Sequence, residues 1–336
     1  MAGSLTYKSA GVDIARAEKS LKALSSKISS TYTRQVLSGI GLFGGFFELE
    51  REGYKVPVLV SSTDGVGTKL KVAILADRHD TIGMDLVNHC INDIAVCGAK
   101  PLFFLDYFAS GNLQPNVYEQ VVGGMARACR DAGIPLIGGE TAEMPDFYQP
   151  GDYDISGTIV GIVEKSKIIN GQNIAAGDVL IGISSNGLHT NGYSLARKAL
   201  LDRFSLHRKI AELNKSLAQE LLKVHLNYYP LISKVCQNAV VHGMVHVTGG
   251  GIVKNSARVV PRGLKMKIAW GSWPEPPIFE LIRKSGNIPE EDMRLTFNLG
   301  IGVIFIVPPA DAPTIITFAK EQNLTAFEIG QIIAGK

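Results

Sequence analysis

The stretch Thr81–Pro101 concentrates side chains that could bind or catalyse. Asp85, Asn88, His89, Asn92 and Asp93 fall at i, i+3, i+4, i+7 and i+8. A helix here gathers them on one face, with Met84, Leu86, Val87, Cys90, Ile91, Ile94 and Ala95 on the other. Thr81 suits the N-cap, Gly98 suits a C-terminal stop, and Pro101 blocks continuation. A solvated helix face normally carries Lys and Glu, which form helices better than Asp, Asn and His. Two readings fit: a helix turned toward a site, or an ordinary amphipathic helix with an unusual polar face.

Two further acids stand at the ends of apolar runs. Ser62-Thr-Asp-Gly-Val-Gly-Thr-Lys69 follows an expected strand. Its glycines Gly65 and Gly67 would let backbone N–H groups and Thr68 reach phosphate oxygens. Lys69 offers a point charge, and Asp64 a hard oxygen ligand for Mg²⁺. A plain Asp-Gly turn with a solvated lysine fits the same residues. Gly138-Gly139-Glu140-Thr141 repeats the order of strand, glycines and acid, and Glu140 could equally be a turn or capping residue. Asp64, Asp93 and Glu140 converging without a cation would repel one another, so Mg²⁺ bridging them to nucleotide phosphates is the economical reading.

The second half offers two glycine-bounded loops, Ser184–Gly192 (SSNGLHTNG) and His246–Gly251 (HVTGGG). Such loops suit a phosphate or an oxyanion. His189 and His246 lie in them and are candidates, whereas His225 and His242 read as structural. Gly39–Gly44 matches G-x-G-x-x-G, but only a short run separates it from the next strand, which contains Pro57. No βαβ unit fits there, so the segment reads as a loop that turns the chain or covers a nucleotide. A Walker A sequence is absent, so any ATP use requires another phosphate cradle.

These residues need elements to position them. Spacing predicts helices over 13–29, 81–97 and 117–132, two helical stretches within 193–236 with Pro230 interrupting the second, and a helix over 277–285. Strands are expected at 56–62, 102–108, 134–137, 153–163, 179–183, 240–247 and 297–307. Strands and helices mix without regular alternation, which favours α+β over α/β. The 336 residues suggest about two domains, and the polar, turn-rich Glu164–Gly177 predicts the boundary, giving 1–166 and 167–336. A net charge of +3 without like-charge blocks points to neither nucleic acid nor membrane. The four cysteines form no C-x-x-C pair and read as thiols in a reducing compartment. The N-terminal twenty residues lack an apolar leader core, and Leu299–Val307 is too short to span a bilayer, so a cytoplasmic protein is expected.

Taken together the motifs resemble the phosphoribosylformylglycinamidine cyclo-ligases (aminoimidazole ribonucleotide synthetases). YKSAGVDI, STDGVGTKLKVA, the 81–111 stretch, GGETAEMP, GDYDISGTIVG, SSNGLHTNGYSLARK, HVTGGG and TFNLGIGV occur in the family's order between residues 7 and 307. Three places depart from the family: SSTYTRQVL (29–37) is poorer in basic residues, Asp146 replaces a usual glycine, and Lys254 stands where an acid is common. The resemblance implies two α+β domains, with N-terminal strands of two subunits closing a shared barrel in a homodimer. It implies ATP-dependent ring closure of formylglycinamidine ribonucleotide through an O-phosphorylated imidate. By position, Asp64, Asp93 and Glu140 become expected Mg²⁺ ligands. Gly65, Gly67, Thr68, Lys69, Gly138, Gly139 and Thr141 become the expected ATP cradle, with Gly41, Gly44 and Gly45 in its flexible cover. His189, Asn191, Gly192, His246, Thr248, Gly249, Gly250 and Gly251 are expected to hold the ribonucleotide, and Asp93, His189 and Lys69 to act in catalysis. K⁺ is a further family expectation. Asp85 lies about two helical turns (~12 Å) from the stripe's end, so Asp93 is the preferred metal residue. Asn88, His89 and Asn92 read as supporting or packing groups. The rival readings are a thiamine-phosphate kinase or selenophosphate synthetase of the same superfamily, and a non-catalytic nucleotide-binding scaffold. A selenophosphate synthetase normally has a reactive Cys or selenocysteine near its N-terminus, whereas the first cysteine here is Cys90.

Overall fold

Asp13 starts the first helix by accepting the Arg16 N–H at 3.2 Å, so α1 (Ile14–Ser29) buries Leu24 and Ile28. The structure, a computed structural model, describes residues 10–335. The N-terminal leader reading and the start of YKSAGVDI fall partly in 1–9, outside the described residues. After α1 the chain runs to residue 56 with only isolated bridges, such as Val36 to Phe47. There follow β1 (Pro57–Gly65), α2 (Lys69–Ala76), α3 (Ile82–Ala95), β2 (Lys100–Ser110), α4 (Pro115–Asp131), β3 (Leu136–Glu143) and β4 (Tyr153–Glu164). These strands form one sheet in the order β1-β4-β2-β3, antiparallel except for the parallel β2–β3 pair. Helices α3 and α4 pack closely because Gly83 lacks a Cβ, which would meet the Val121 carbonyl oxygen at 2.0 Å.

The second half contains β5 (Val179–Ser184), α5 (Tyr193–Leu200), a small hairpin of β6 (Lys209–Ile210) and β7 (Lys215–Ser216), and α6 (Leu217–Leu221). Then come α7 (Tyr229–Asn238), β8 (Gly243–His246), α8 (Gly251–Ser256), β9 (Leu264–Ile268), α9 (Pro277–Gly286), α10 (Glu290–Thr296), β10 (Ile301–Val307), α11 (Ala312–Glu321) and β11 (Ala326–Ala334). Its antiparallel sheet has the order β8-β10-β5-β11-β9. Alternate residues of β10 feed opposite cores. Val303, Phe305 and Val307 meet Leu231, Val235 and Ile315, while Ile304 and Ile306 meet Val245 and Ile332. The α+β expectation holds.

Several elements depart from the expectations. β3 runs through Gly138–Glu143, so Gly-Gly-Glu is strand rather than loop. Pro230 sits in the first turn of α7 and opens that helix instead of interrupting it. Residues 297–300 form a turn before β10, with Leu299 and Gly300 both at positive φ. α2, α8, α10, α11, β9 and β11 were not expected. Asp146, at the family's usual glycine, has φ +66°, a conformation glycine adopts readily and aspartate tolerates.

The polar stripe has a structural task that periodicity did not show. Helix α3 is buried almost all round, with Asp85, Asn88, His89 and Asn92 among its buried residues. Facing them is the irregular segment between α6 and α7, whose backbone has no ladder of its own. Asp85 Oδ1 accepts the His225 N–H at 2.7 Å, and Asn88 Nδ2 donates to the His225 carbonyl at 2.8 Å. Asn92 donates to the Leu226 carbonyl and accepts from the Tyr228 N–H, each at 2.8 Å. Lys69 adds a 2.7 Å bond to the Lys223 carbonyl. Buried backbone groups must be paired, and these side chains do the pairing. Asn92→Ala orphans two backbone groups and should cost about 2–4 kcal/mol, against about 1–2 for Asn88→Ala, which orphans one. Urea unfolding checks this, and equal losses would mean that the Tyr228 N–H contributes nothing.

Candidate functional site

Five segments meet at the C-terminal end of α3. β1 carries Asp64 next to its last residue, the last turns of α3 carry His89 and Asp93, β8 ends in His246, the loop after β5 supplies His189 and Thr190, and the segment between α6 and α7 supplies His225. Asp64 Oδ2 lies 2.7 Å from His89 Nε2, and Asp93 Oδ2 lies 3.7 Å from the same nitrogen. Asp93 Oδ1 is 2.7 Å from His246 Nδ1, and Ser62 Oγ donates to Asp93 Oδ2 at 3.2 Å. Thr190 Oγ1 joins His89 Nδ1 at 2.7 Å to His225 Nδ1 at 3.4 Å. His225 Nε2 is 3.2 Å from His246 Nε2. The His189 ring stacks on His225 with centroids 4.0 Å apart. Four histidines are thus buried together beside two carboxylates whose side chains remain 46% and 25% exposed.

Charge follows burial and neighbours. Burial alone would raise the Asp64 carboxyl, but the adjacent His89 imidazole outweighs it and holds it below the usual range. Asp93 behaves alike, with His246 the opposing partner. Burial would lower His89, yet Asp64 and Asp93 hold it above its ordinary value. Burial keeps His246 below the usual range, and His189 and His225 well below it. Deeper in, burial pushes Asp85 up to about 6 and pulls Lys69 down, each partly opposed by the other's charge.

The structure unites some expected site residues and separates others. Thr68 Oγ1 is 2.9 Å from Ser194 Oγ, so the loop carrying Gly65 and Gly67 abuts the start of α5 just past Asn191 and Gly192. A Cβ on Gly249 would meet Asn191 Oδ1 at 3.1 Å, which places the Thr248–Gly250 loop next to the same segment. Thr248 Oγ1 donates to Asn255 Oδ1 at 3.1 Å. Gly251 is required by its surroundings: its φ is +63°, and a Cβ would lie 1.9 Å from the Arg294 carbonyl oxygen.

Three expectations need correction. Lys69 is fully buried, and its ammonium faces Asp85 at 2.8 Å and the His189 and Lys223 carbonyls at 3.1 and 2.7 Å. Its three donors are therefore used inside the protein, and it is not a phosphate-facing lysine. Glu140 does not join Asp64 and Asp93 within one copy of the chain. In register Asp64 lies across from Gly157, Asp106 and Gly139, whereas Glu140 follows Gly139 and points to the opposite sheet face. Three strand spacings, about 14 Å, separate the two edges. Gly138, Gly139 and Thr141 share that distant edge. Thr141 bonds the Tyr118 hydroxyl at 3.0 Å, and a Cβ on Gly45 would meet the Ile137 carbonyl at 2.9 Å, so the expected cover also borders β3. Gly41 and Gly44 have open space around the Cβ position. Third, His225 is not merely a packing histidine, since it stands at the centre of the cluster. Only tertiary contact reveals this, because 225 lies in no motif. Apart from this cluster, burial pushes Asp106, an acid inside an apolar strand, up to about 7.

His189 has both ring nitrogens buried without a hydrogen-bond partner among the described residues, and a positive φ of +60°. His242, in contrast, pairs with Asp178 at 2.9 Å, a structural role. The cysteines are free thiols, and no helix among the described residues is long and apolar enough to cross a membrane.

A pH effect follows from His225. Native His225 stays neutral where an unfolded histidine (pKa about 6.5) takes a proton. Its contribution to stability is present above that value and is lost as pH falls below it. His189 and His246 have the same sign, and His89 the opposite one. His225→Gln should therefore flatten the stability loss between pH 6.5 and 5 by up to about 1.4 kcal/mol per pH unit. Urea midpoints across that range measure it, and parallel curves for variant and wild type would refute a buried neutral His225.

Comparison with known proteins agrees with this architecture. Residues 54–163 match the AIR synthase related protein, N-terminal domain, and residues 175–336 match the C-terminal domain of the same name. A phosphoribosylformylglycinamidine cyclo-ligase of Syntrophotalea carbinolica is 49% identical over 330 residues, covering 98% of this chain and 94% of that protein. A thiamine-monophosphate kinase of Stenotrophomonas maltophilia superposes with a TM-score of 0.72 at 18% identity, covering 94% of each chain. The hydrogenase maturation protein HypE in complex with ATP gives 0.63 at 17% identity, covering 94% of this chain and 86% of that one. These two likenesses are of fold alone. Matched over nearly its whole length at close to half identity, the chain belongs to the phosphoribosylformylglycinamidine cyclo-ligase family.

Proposed function

We propose that the protein closes the imidazole ring of 5-aminoimidazole ribonucleotide from formylglycinamidine ribonucleotide and ATP, releasing ADP, phosphate and a proton, in purine biosynthesis. The observation that carries this reading, beside family membership, is the meeting of Asp64 and Asp93 around one histidine, next to the glycine loops of both halves. The formamide oxygen attacks the γ-phosphorus and ADP departs. The amidine nitrogen then attacks the activated carbon, and the oxygen leaves with phosphate. Amide oxygen is a poor leaving group and phosphate a good one, which gives ATP its chemical purpose.

Such phosphoryl transfer depends on positioning and charge neutralisation. Asp64 and Asp93 are hard oxygen donors, ionised and partly exposed, which fits Mg²⁺. Mg²⁺ there would neutralise nucleotide phosphate charge. Ser62 and His246 orient Asp93, and His89 orients Asp64. Gly65, Gly67 and Thr68 offer the phosphate side, while Asn191 and Thr248–Gly250 offer the ribonucleotide side. The unpartnered nitrogens of His189 support a role toward substrate. A homodimer is part of this reading: the first sheet exposes Leu59, Ser61, Thr63 and Glu140, which supports closure of a barrel by a second copy. A cytoplasmic location is supported by the free thiols, whereas a K⁺ requirement rests on the resemblance, and replacing K⁺ by Na⁺ in the assay tests the latter.

Incubation with formylglycinamidine ribonucleotide, ATP and Mg²⁺ should yield aminoimidazole ribonucleotide and ADP in equal amounts. ATP binding without turnover would instead establish a scaffold, and phosphorylation of thiamine phosphate a kinase. Asp93→Asn should lower kcat about 100-fold or more, whereas folded Asn88→Ala should lose only a few-fold, since Asn88 holds backbone. Equal losses would remove Asp93 from the reaction.

A further inference from the structure

The histidines exceed what a Mg²⁺–nucleotide site calls for. Mg²⁺ is held by carboxylates, water and phosphate oxygens, whereas imidazole suits Zn²⁺, Co²⁺ and related ions. One atom each of His89, Asp93 and His246 lies within 4.8 Å of the others. His89 Nε2 is buried and faces Asp64 Oδ2 at 2.7 Å and Asp93 Oδ2 at 3.7 Å. The far nitrogens of both rings are already engaged, His89 Nδ1 with Thr190 and His246 Nε2 with His225. Such outer partners set ring orientation and tautomer in metal sites. Zn–N and Zn–O distances near 2.0–2.1 Å require ligand atoms no more than about 4 Å apart, so side-chain adjustments of about 1 Å would suffice.

We propose that His89, Asp93 and His246 form a site for a divalent ion of the Zn²⁺/Co²⁺ class, held by protein ligands without nucleotide, with Asp64 as the fourth donor. The ion replaces the proton shared by His246 Nδ1 and Asp93 and the one between His89 Nε2 and Asp64, and both protons pass to solvent. Because Asp93 is shared, occupancy excludes Mg²⁺ and nucleotide and silences the enzyme. That consequence rests on the role given to Asp93 above, but the site itself does not.

The test is titration of the full chain with Co²⁺ alone, read by visible absorption. A four-coordinate His/carboxylate site gives an intense d–d band, and one equivalent of Zn²⁺ abolishes it. His89→Ala and His246→Ala should weaken binding by more than the roughly 10–100-fold that loss of an outer partner brings. Circular dichroism checks their folding, and His89→Gln, which retains a polar side chain, serves if the alanine variant unfolds. His225→Gln should keep the band. A weak octahedral spectrum, a band that survives in the folded His89 variants, or a band lost in His225→Gln overturns the proposal. Since the titration needs no turnover, it stands or falls separately from ring closure. Where ring closure is active, Zn²⁺ should inhibit and excess Mg²⁺ with ATP should relieve it, and Zn²⁺ without effect on turnover overturns the exclusion.

Discussion

The fold depends on one polar constraint: a buried, irregular stretch of backbone between α6 and α7 must be hydrogen-bonded by side chains. Lys69, Asp85, Asn88 and Asn92 supply those bonds. The Lys69–Asp85 pair is fully buried, and loss of either partner would leave an uncompensated charge. Helix α3 therefore joins the two sheets. Its apolar side, including Leu86, Cys90 and Ile94, belongs to the core under the first sheet, and Ala95 belongs to the core of the second.

That arrangement places the site. Because Asn88 and Asn92 pin the backbone at His225 and Leu226, the His225 ring is carried to the end of α3, among His89, His189 and His246. The carboxylates of Asp64 and Asp93 stay at the partly open rim. Structural and chemical roles thus share one helix. Asp85, Asn88 and Asn92 hold the partner segment, while Asp93 and one edge of His89 face Asp64 and His246.

The motifs carried much of this. The acid after an apolar strand, Asp64, the acid of the helical stripe, Asp93, and the 184–192 and 246–251 glycine loops were expected to share a site, and contacts at Thr68, Asn191 and Gly249 bring them together in space. Lys69 misled because a lysine after a glycine loop looks the same whether it meets phosphate or an internal carboxylate. Glu140 misled because β3 continues through Gly-Gly-Glu, and strand alternation turns Glu140 to the face opposite Asp64. The unexpected elements, such as α11 and β11, follow loops whose spacing gave little local signal.

Local chemistry, legible in the chain itself, determined the helix with its polar stripe, the α+β character and the family. These follow from periodicity, turn residues and ordered motifs, which act over a few residues at a time. Tertiary structure decided which polar groups are free to meet a ligand. Hydrogen-bond capacity is finite and its partners lie more than a hundred residues apart, as in Lys69 with His189 and Lys223 or Asp93 with His246. Only the folded chain shows which donors and acceptors have already been used.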